Sequence, residues 1–461
     1  MKDLTQGSTT KIIIAMAVPV AAGMIFQTLY LLVDLYFVAA LGEDAVAGVG
    51  TAGTLLFMIM ALTQVLGVSA VALISQVVGR KDQAEANLVF NQSLVLSGIC
   101  ALITLLGGYL FANAYLSTIA ADEASLQQGV TFLYWFLPGM ALQFAMMAMA
   151  SSLRATGIVK PAMLVQVITV VLNTILAPIL IAGWGPGPAL GVMGAGLAST
   201  ISIAVGVCLL TLYFFKLEKY VSFETKLWKP RFDIWWRMLD IGLPAGGEML
   251  LMFVYFSLVY WLIQDFGAPA QAGFSIGGRI MQSIFMPTMA IAFAVGPIIG
   301  QNYGAGLNSR VREACYNGMI LSSVVMLIVT ILMQWRPELM IAFFTDEADI
   351  IAIGSDFLRL ISFNFIAQGI VFTASGAFQG MGNTRPALMS SGARLLVFVP
   401  IAVYLKYQPG FTITQVWYVS ILAVTVQAVV SFLLVRKEFA LKLGKPGADA
   451  AAPELTTPEE A

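Results

Sequence analysis

The sequence predicts an all-α integral membrane protein of twelve transmembrane helices, built as two parallel six-helix repeats. Three observations carry this expectation. Only 11% of the 461 residues are charged and 59% are hydrophobic, with a mean hydropathy of +0.87, whereas soluble domains are about 25% charged. The apolar segments run to helix length, about 20 residues or more, which suits a helical bundle and not a barrel. The chain also matches itself at a constant shift of 225 residues.

Polar breaks place the spans at 12–40, 45–78, 88–113, 127–153, 161–183 and 189–215, then at 238–264, 268–302, 312–335, 347–381, 386–406 and 413–435. The second and eighth are too long for an upright crossing and should tilt, kink or protrude. A short polar arm precedes the first helix, with no cleavable signal. Basic residues test the topology. Arg80 and Lys81 follow span two, Arg154 and Lys160 span four, Arg310 and Arg312 span eight, and Arg385 span ten; the segment 216–237 carries Lys216, Lys219, Lys226, Lys229, Arg231 and Arg237. The alternate loops are nearly free of Lys and Arg: 183–191 has no charge and 336–349 is net acidic. Both termini and every even-to-odd loop are therefore expected on the cytoplasmic side of a plasma membrane.

The repeat sets AVPVAAGM (17–24) on GLPAGGEM (242–249), Tyr30 on Tyr255, Gly42 on Gly267, Gln76 on Gln301, and LRATGIVKPAM (153–163) on FQGMGNTRPAL (378–388). Because six is even, both copies enter from the same side and are related by an axis along the membrane normal. The expected organisation is a lobe at 1–215, a basic cytoplasmic linker at 216–237, a second lobe at 238–436 and a disordered Ala/Pro/Glu-rich tail at 437–461. Two packed halves that can rock against each other fit alternating access.

Within this scaffold the stretch 24–42 stands apart, because an apolar helix there carries Gln27, Tyr30 and Asp34 on one face. A carboxylate at membrane depth is disfavoured by about 2.5 kcal/mol or more and usually handles ions or protons. An Asp reaching the headgroups is the alternative, although Tyr36–Leu41 still follow it. The repeat fails here, since Asp34 aligns with Val259, so the first half is read as the coupling lobe. Span five adds Gln166, Thr169, Asn173 and Ala177 at helical spacing, polar groups that either partner Asp34 or make ordinary interhelical hydrogen bonds. Span ten carries a neutral stripe of Asn364, Gln368, Ser375 and Gln379, suited to a water-filled cleft, a polar substrate or simple packing. Glu248 is the other acid inside an apolar run. It is a secondary acidic candidate for a cation or proton, with a place near the inner interface the preferred reading. Arg279, Arg359 and Arg394 fall within spans and each needs a carbonyl, carboxylate or water. The 23 methionines and 29 phenylalanines suit a cavity that repacks around amphiphiles, and equally suit plain filler.

Other classes of function find no support. The chain has no histidine, and its three cysteines (Cys100, Cys208, Cys315) have no metal or disulfide spacing. No metal site, cofactor or nucleic-acid partner is expected. No phosphate-binding loop suggests an ATP motor, and no catalytic cluster suggests an enzyme.

Pro19, Gln27, Tyr30 and Asp34, then the Leu-Gly pair at 41–42, Gln76–Gly79 with Gln301–Gly304, and QGMGNTRPA at 379–387 together resemble the multidrug and toxic compound extrusion family, in its DinF-like branch. The resemblance spans residues 10–437. It implies two lobes around a V-shaped cleft, a working monomer in membrane lipid, and export of small cationic or amphiphilic molecules against inward H⁺ or Na⁺. In that branch an Asp on the first helix joins an Asn and a second Asp on the fifth and a Thr on the sixth. Here those positions read Asp34, Asn173, Ala177 and Ser199. The missing second acid favours H⁺ over Na⁺ as the coupling ion. The resemblance also implies that protonating Asp34 lets the first helix bend near Pro19. Substrate contacts would fall to Gln27, Tyr30, Gln166 and Thr169, with Tyr255, Gln368 and Gln379 in the second lobe. A lipid-linked oligosaccharide flippase of the wider superfamily is the alternative, although such flippases carry a strongly cationic cavity.

Overall fold

A computed structural model describes residues 2–120, 122–184 and 189–444. Part of the charge-free loop (185–188) and the tail from 445 onward lie outside the described residues. The first half consists of α1 (Thr9–Ala39), α2 (Glu43–Gly79), α3 (Gln83–Leu116), α4 (Glu123–Ala155), α5 (Lys160–Ala182) and α6 (Val192–Lys216). The second consists of α7 (Phe232–Ile263), α8 (Ala268–Gly304), α9 (Asn308–Trp335), the short α10 (Glu338–Ala342), α11 (Ala348–Ile361), α12 (Asn364–Gly380), α13 (Arg385–Lys406) and α14 (Ile413–Lys442). Eleven helices are long and apolar enough to cross a membrane, and α11 with α12, bent by 58°, makes the twelfth span. Among the described residues there is no strand.

Several helices outrun the apolar segments because their first turns are polar and capped. Asp82 accepts the Glu85 N–H at 2.9 Å before α3, and Asp122 accepts the Ser125 N–H at 2.7 Å before α4. The long spans α2 and α8, 37 residues each, stay continuous. At 1.5 Å per residue they reach about 55 Å, well past a hydrocarbon core of about 30 Å. The tenth span, expected as one helix, breaks instead at Ser362–Phe363. Side chains of α9 take up the backbone there: Thr330 donates to the Ser362 carbonyl at 3.0 Å, and Gln334 to the Arg359 carbonyl at 2.7 Å. Such insertion into a helical ladder is a sufficient cause of a kink without proline.

The expected tail is wrong at its start. Residues 437–442 continue α14 because Phe439 and Leu443 are buried in the second lobe's core, at 1% and 2% exposure. Glu438 meanwhile accepts the Asn383 amide at 2.9 Å and pairs with Lys442 at 2.8 Å. The 216–237 segment is also pinned: α7 begins at Phe232, and Asn91 and Gln92 of α3 donate to the Ser222, Leu227 and Lys229 carbonyls.

The lobes of the sequence exchange two half-helices in space. Ile12, Ile13, Met16 and Ala17 of α1 belong to a core with Ala290–Ile299 of α8 and Phe378 of α12, whereas Val38 joins the first lobe's core. In the same way Ile234, Met238, Ile241 and Ala245 of α7 join the first lobe's core, and Tyr255, Val259 and Leu262 join the second's. Pro19 and Pro244, equivalent in the repeat, lie inside these exchanged halves without ending either helix.

Between lobes, the closest approach is at the basic-loop ends of α2 and α8. A Cβ on Gly79 would lie 2.0 Å from the Gln301 carbonyl oxygen, and one on Gly304 would lie 1.9 Å from that of Gln76. Both contacts need the absence of a side chain. Gly304→Ala must therefore force the two backbones apart, at about 1–3 kcal/mol, and lower the melting temperature in detergent. Gly278→Ala, on the same helix with open space around its Cα, should leave it unchanged or raise it. Equal melting temperatures for the two variants would contradict this packing.

Candidate functional site

Three helices converge on Asp34. The α5 and α6 helices approach closely because Gly194 leaves room for the Leu180 carbonyl and Gly206 for the Thr169 methyl group. This sets Asn173 and Ser199, both fully buried, beside the polar face of α1. Asn173 Nδ2 donates to Asp34 Oδ1 at 2.8 Å, and Ser199 Oγ donates to Oδ2 at 3.1 Å. Among the described residues the carboxylate has no Lys or Arg partner. Ala177, where the resemblance expects a second acid, is fully buried and adds no charge.

Two further oxygens complete the surroundings. The Tyr30 hydroxyl lies next to Ser199 and within electrostatic range of Asp34, yet it is buried without a hydrogen-bond partner among the described residues. Asn173 Oδ1 is orphaned in the same way. A carboxylate with neutral donors, a hydroxyl and an amide oxygen can take up a proton or a small monovalent cation. Once protonated, Asp34 becomes a donor, and Ser199 can rotate its hydroxyl to accept. Of the other expected residues in this lobe, Thr169 is buried and turns its hydroxyl back to the Gln166 carbonyl at 2.8 Å. Gln27 shares the α1 face without bonding to Asp34.

The second lobe holds a different arrangement. Val259, the repeat counterpart of Asp34, is 1% exposed in an apolar core. Glu248 stands 16 residues past the first residue of α7. There it lines a cavity of about 40 Å³ with Tyr255, Gln368, Ser391, Arg394 and Gln427. Ser375 donates to Glu248 at 2.9 Å, and Gln379 reaches Ser375 at 3.5 Å. The Tyr255 hydroxyl bonds to Ser420 at 2.5 Å, and the Arg394 guanidinium lies 3.7 Å from the Tyr255 ring centroid. Sequence reasoning missed Ser391 and Gln427 and gave Arg394 no partner. The unpaired Arg394 in an apolar span was the available signal, but its neighbours come from helices far apart in the chain. Among the described residues there is no group of three or more Cys, Asp or Glu placed to hold a metal.

The MatE family model matches residues 19–179 and again 244–404, so the second match repeats the first at the 225-residue shift. The probable multidrug resistance protein NorM of Thermotoga maritima is 27% identical over 384 residues, 82% of each chain. The multidrug export protein MepA of Staphylococcus aureus is 25% identical over 401 residues, 86% of this chain and 87% of that one. A solved structure described as the outward-facing conformation of a multidrug resistance MATE family transporter of the MOP superfamily has a TM-score of 0.89 at 25% identity. It covers 96% of this chain and 98% of its own.

The Asp34 contacts can be tested energetically. A double-mutant cycle between Asp34→Asn and Asn173→Ala should show a coupling of about 0.6 kcal/mol or more, in the range of buried hydrogen bonds between spans. The same cycle with Gln166→Ala, which makes no bond to Asp34, should show none. Thermal unfolding in detergent reads both, and equal couplings would show that Asn173 does not hold the carboxylate.

Proposed function

The chain belongs to the MatE family of multidrug efflux transporters, and on that premise we propose that it is a proton-coupled antiporter. It exports cationic or amphiphilic organic molecules by alternating access. The observation that carries this reading is the single carboxylate, Asp34, held inside a span by Asn173 and Ser199 without a counter-charge. Desolvated charge at membrane depth is disfavoured unless it is paired or neutralised. A proton or an organic cation can each neutralise it, and competition between the two is the minimal requirement for exchange.

The choice of H⁺ over Na⁺ rests on charge. A dehydrated Na⁺ would meet one carboxylate where the family pattern offers two, because Ala177 replaces the second acid. The donors already on both Asp34 oxygens are neutral and remain compatible with a protonated carboxyl. Proton uptake from outside removes the charge that attracts the substrate. The substrate, held against Gln27, Tyr30, Gln166 and Thr169 in the first lobe and Tyr255, Gln368 and Gln379 in the second, is then released outward. Bending of α1 near Pro19 accompanies that release. The basic loops face the cytoplasm of a plasma membrane, the termini lie on that side, and the working unit is the monomer.

The experiment is efflux of a fluorescent organic cation from vesicles carrying the wild type or Asp34→Asn, under separate pH and Na⁺ gradients. The pH gradient alone should drive the wild type, and the variant should lose at least about tenfold of that activity, as removal of a required proton-transfer group implies. Transport driven by Na⁺ alone, or an unimpaired variant, would move the coupling site elsewhere, with Glu248 the next acid to test. Movement of a lipid-linked oligosaccharide without cation efflux would identify a flippase instead.

A further inference from the structure

The end of the molecule where the lobes meet is closed by two equivalent bolts and one part that has no equivalent. Gln76 of α2 reaches across the lobe boundary to the Gly380 carbonyl at 2.9 Å, and Gln301 of α8 reaches back to the Ala155 carbonyl at 2.8 Å. Donors and acceptors are both related by the 225-residue repeat, so the pair is reciprocal. On the Gln301 side, however, residues 2–8 are laid across the junction. The Lys2 N–H donates to the Thr156 carbonyl of the first lobe at 2.8 Å, and the Leu4 N–H donates to Gln301 Oε1 of the second at 3.0 Å. Asn302 donates to the Leu4 carbonyl at 3.2 Å, and Arg310 to the Gly7 carbonyl at 3.0 Å.

The Leu4 side chain is fully buried in a core it shares with α8, α9 and Val159. Gly157, with φ +78°, accommodates the arm: a Cβ there would fall 2.8 Å from the Lys2 carbonyl oxygen. Asp3 stiffens the following turn by accepting the Thr5 N–H at 2.9 Å and its hydroxyl at 2.5 Å. The repeat counterparts of these residues, 227–233, do not close the other bolt. Their carbonyls at Leu227 and Lys229 are taken by Gln92 of α3, within the first lobe's own side.

We propose that residues 2–8 form a strap that holds the lobes together on the basic-loop side and must detach from Thr156 or from Gln301 before they part there. The inference rests on the alternating-access reading above. The geometry requires release because the strap has main-chain bonds to both lobes within three residues. Lys2 and Leu4 are at most about 7 Å apart along the chain, so separation of Thr156 from Gln301 by more than a few ångströms breaks one attachment. A buried leucine leaving its site and two or three hydrogen bonds lost with it bias the equilibrium toward the closed state on this side. The bias falls on one of the two otherwise equivalent bolts.

The test uses Ser75→Cys as a reporter in a full-length background with Cys100, Cys208 and Cys315 replaced by alanine. Ser75 is fully buried and faces Gly300 of the other lobe, so its thiol reacts only when the lobes part. A protease site inserted between the exposed Gln6 and Gly7 lets the strap be cut after folding, which separates release from misfolding. Maleimide labelling of the purified protein should accelerate at least about tenfold on cutting, a shift of about 1.4 kcal/mol. Leu4→Asp should accelerate it without cutting. An unchanged rate after the cut overturns the strap. Faster labelling in a protein that exports nothing in the vesicle assay would keep the strap and remove the antiport reading.

Discussion

The contact on which the rest of the structure depends is the reciprocal bolt at the ends of α2 and α8. Gly79 and Gly304 bring two backbones to a separation that no side chain permits, and Gln76 and Gln301 use that proximity to reach carbonyls at the ends of α12 and α4. Each bond satisfies an acceptor that a helix terminus would otherwise leave without a partner. The two lobes therefore meet through backbone-scale complementarity at one end. On the alternating-access reading proposed above, this contact would be either engaged or released, because close-packed interfaces are bistable and not continuously deformable.

The exchanged half-helices give that contact a link to the carboxylate. The N-terminal half of α1 packs on the second lobe and its C-terminal half on the first. Asp34 sits on the C-terminal half, tied to α5 and α6. A change in how firmly Asn173 and Ser199 hold Asp34 thus alters the attachment of a helix that both lobes share. The α7 helix mirrors the arrangement, with its N-terminal half in the first lobe and Glu248 farther along, lining a cavity of the second lobe. The scaffold is symmetric and the chemistry is not: a lone carboxylate on one side faces an acid, an arginine and a tyrosine on the other.

Much of this was legible in the sequence. Hydropathy located all twelve spans, because the apolar runs are long and polar breaks punctuate them, but it began α7 six residues late and ended α14 seven residues early. The 225-residue shift identified the glycines and glutamines of the junction as pairs, though not that each glutamine crosses to the opposite lobe. Asn173 was legible as part of a helical stripe, and Ser199 only through family resemblance, since one serine in an apolar helix carries no signal. What stayed hidden depends on tertiary packing. The second lobe's cavity gathers Glu248, Gln368, Arg394 and Gln427 from four helices. The break at Ser362 is made by Thr330 and Gln334 from another span. The end of α14 looked polar, but buried Phe439 and Leu443 anchor it.

The central claim is that a proton and an organic cation compete for Asp34, and proton release on substrate binding tests it most directly. Detergent-purified protein in weakly buffered solution is titrated with a lipophilic fluorescent cation while a pH indicator counts protons and polarisation counts bound ligand. By linkage, the wild type should release up to about one proton per cation bound, and Asp34→Asn, loaded with the higher cation concentration its weakened site requires, should release none. An equal release from both proteins would place the exchanged proton on another group and contradict the account.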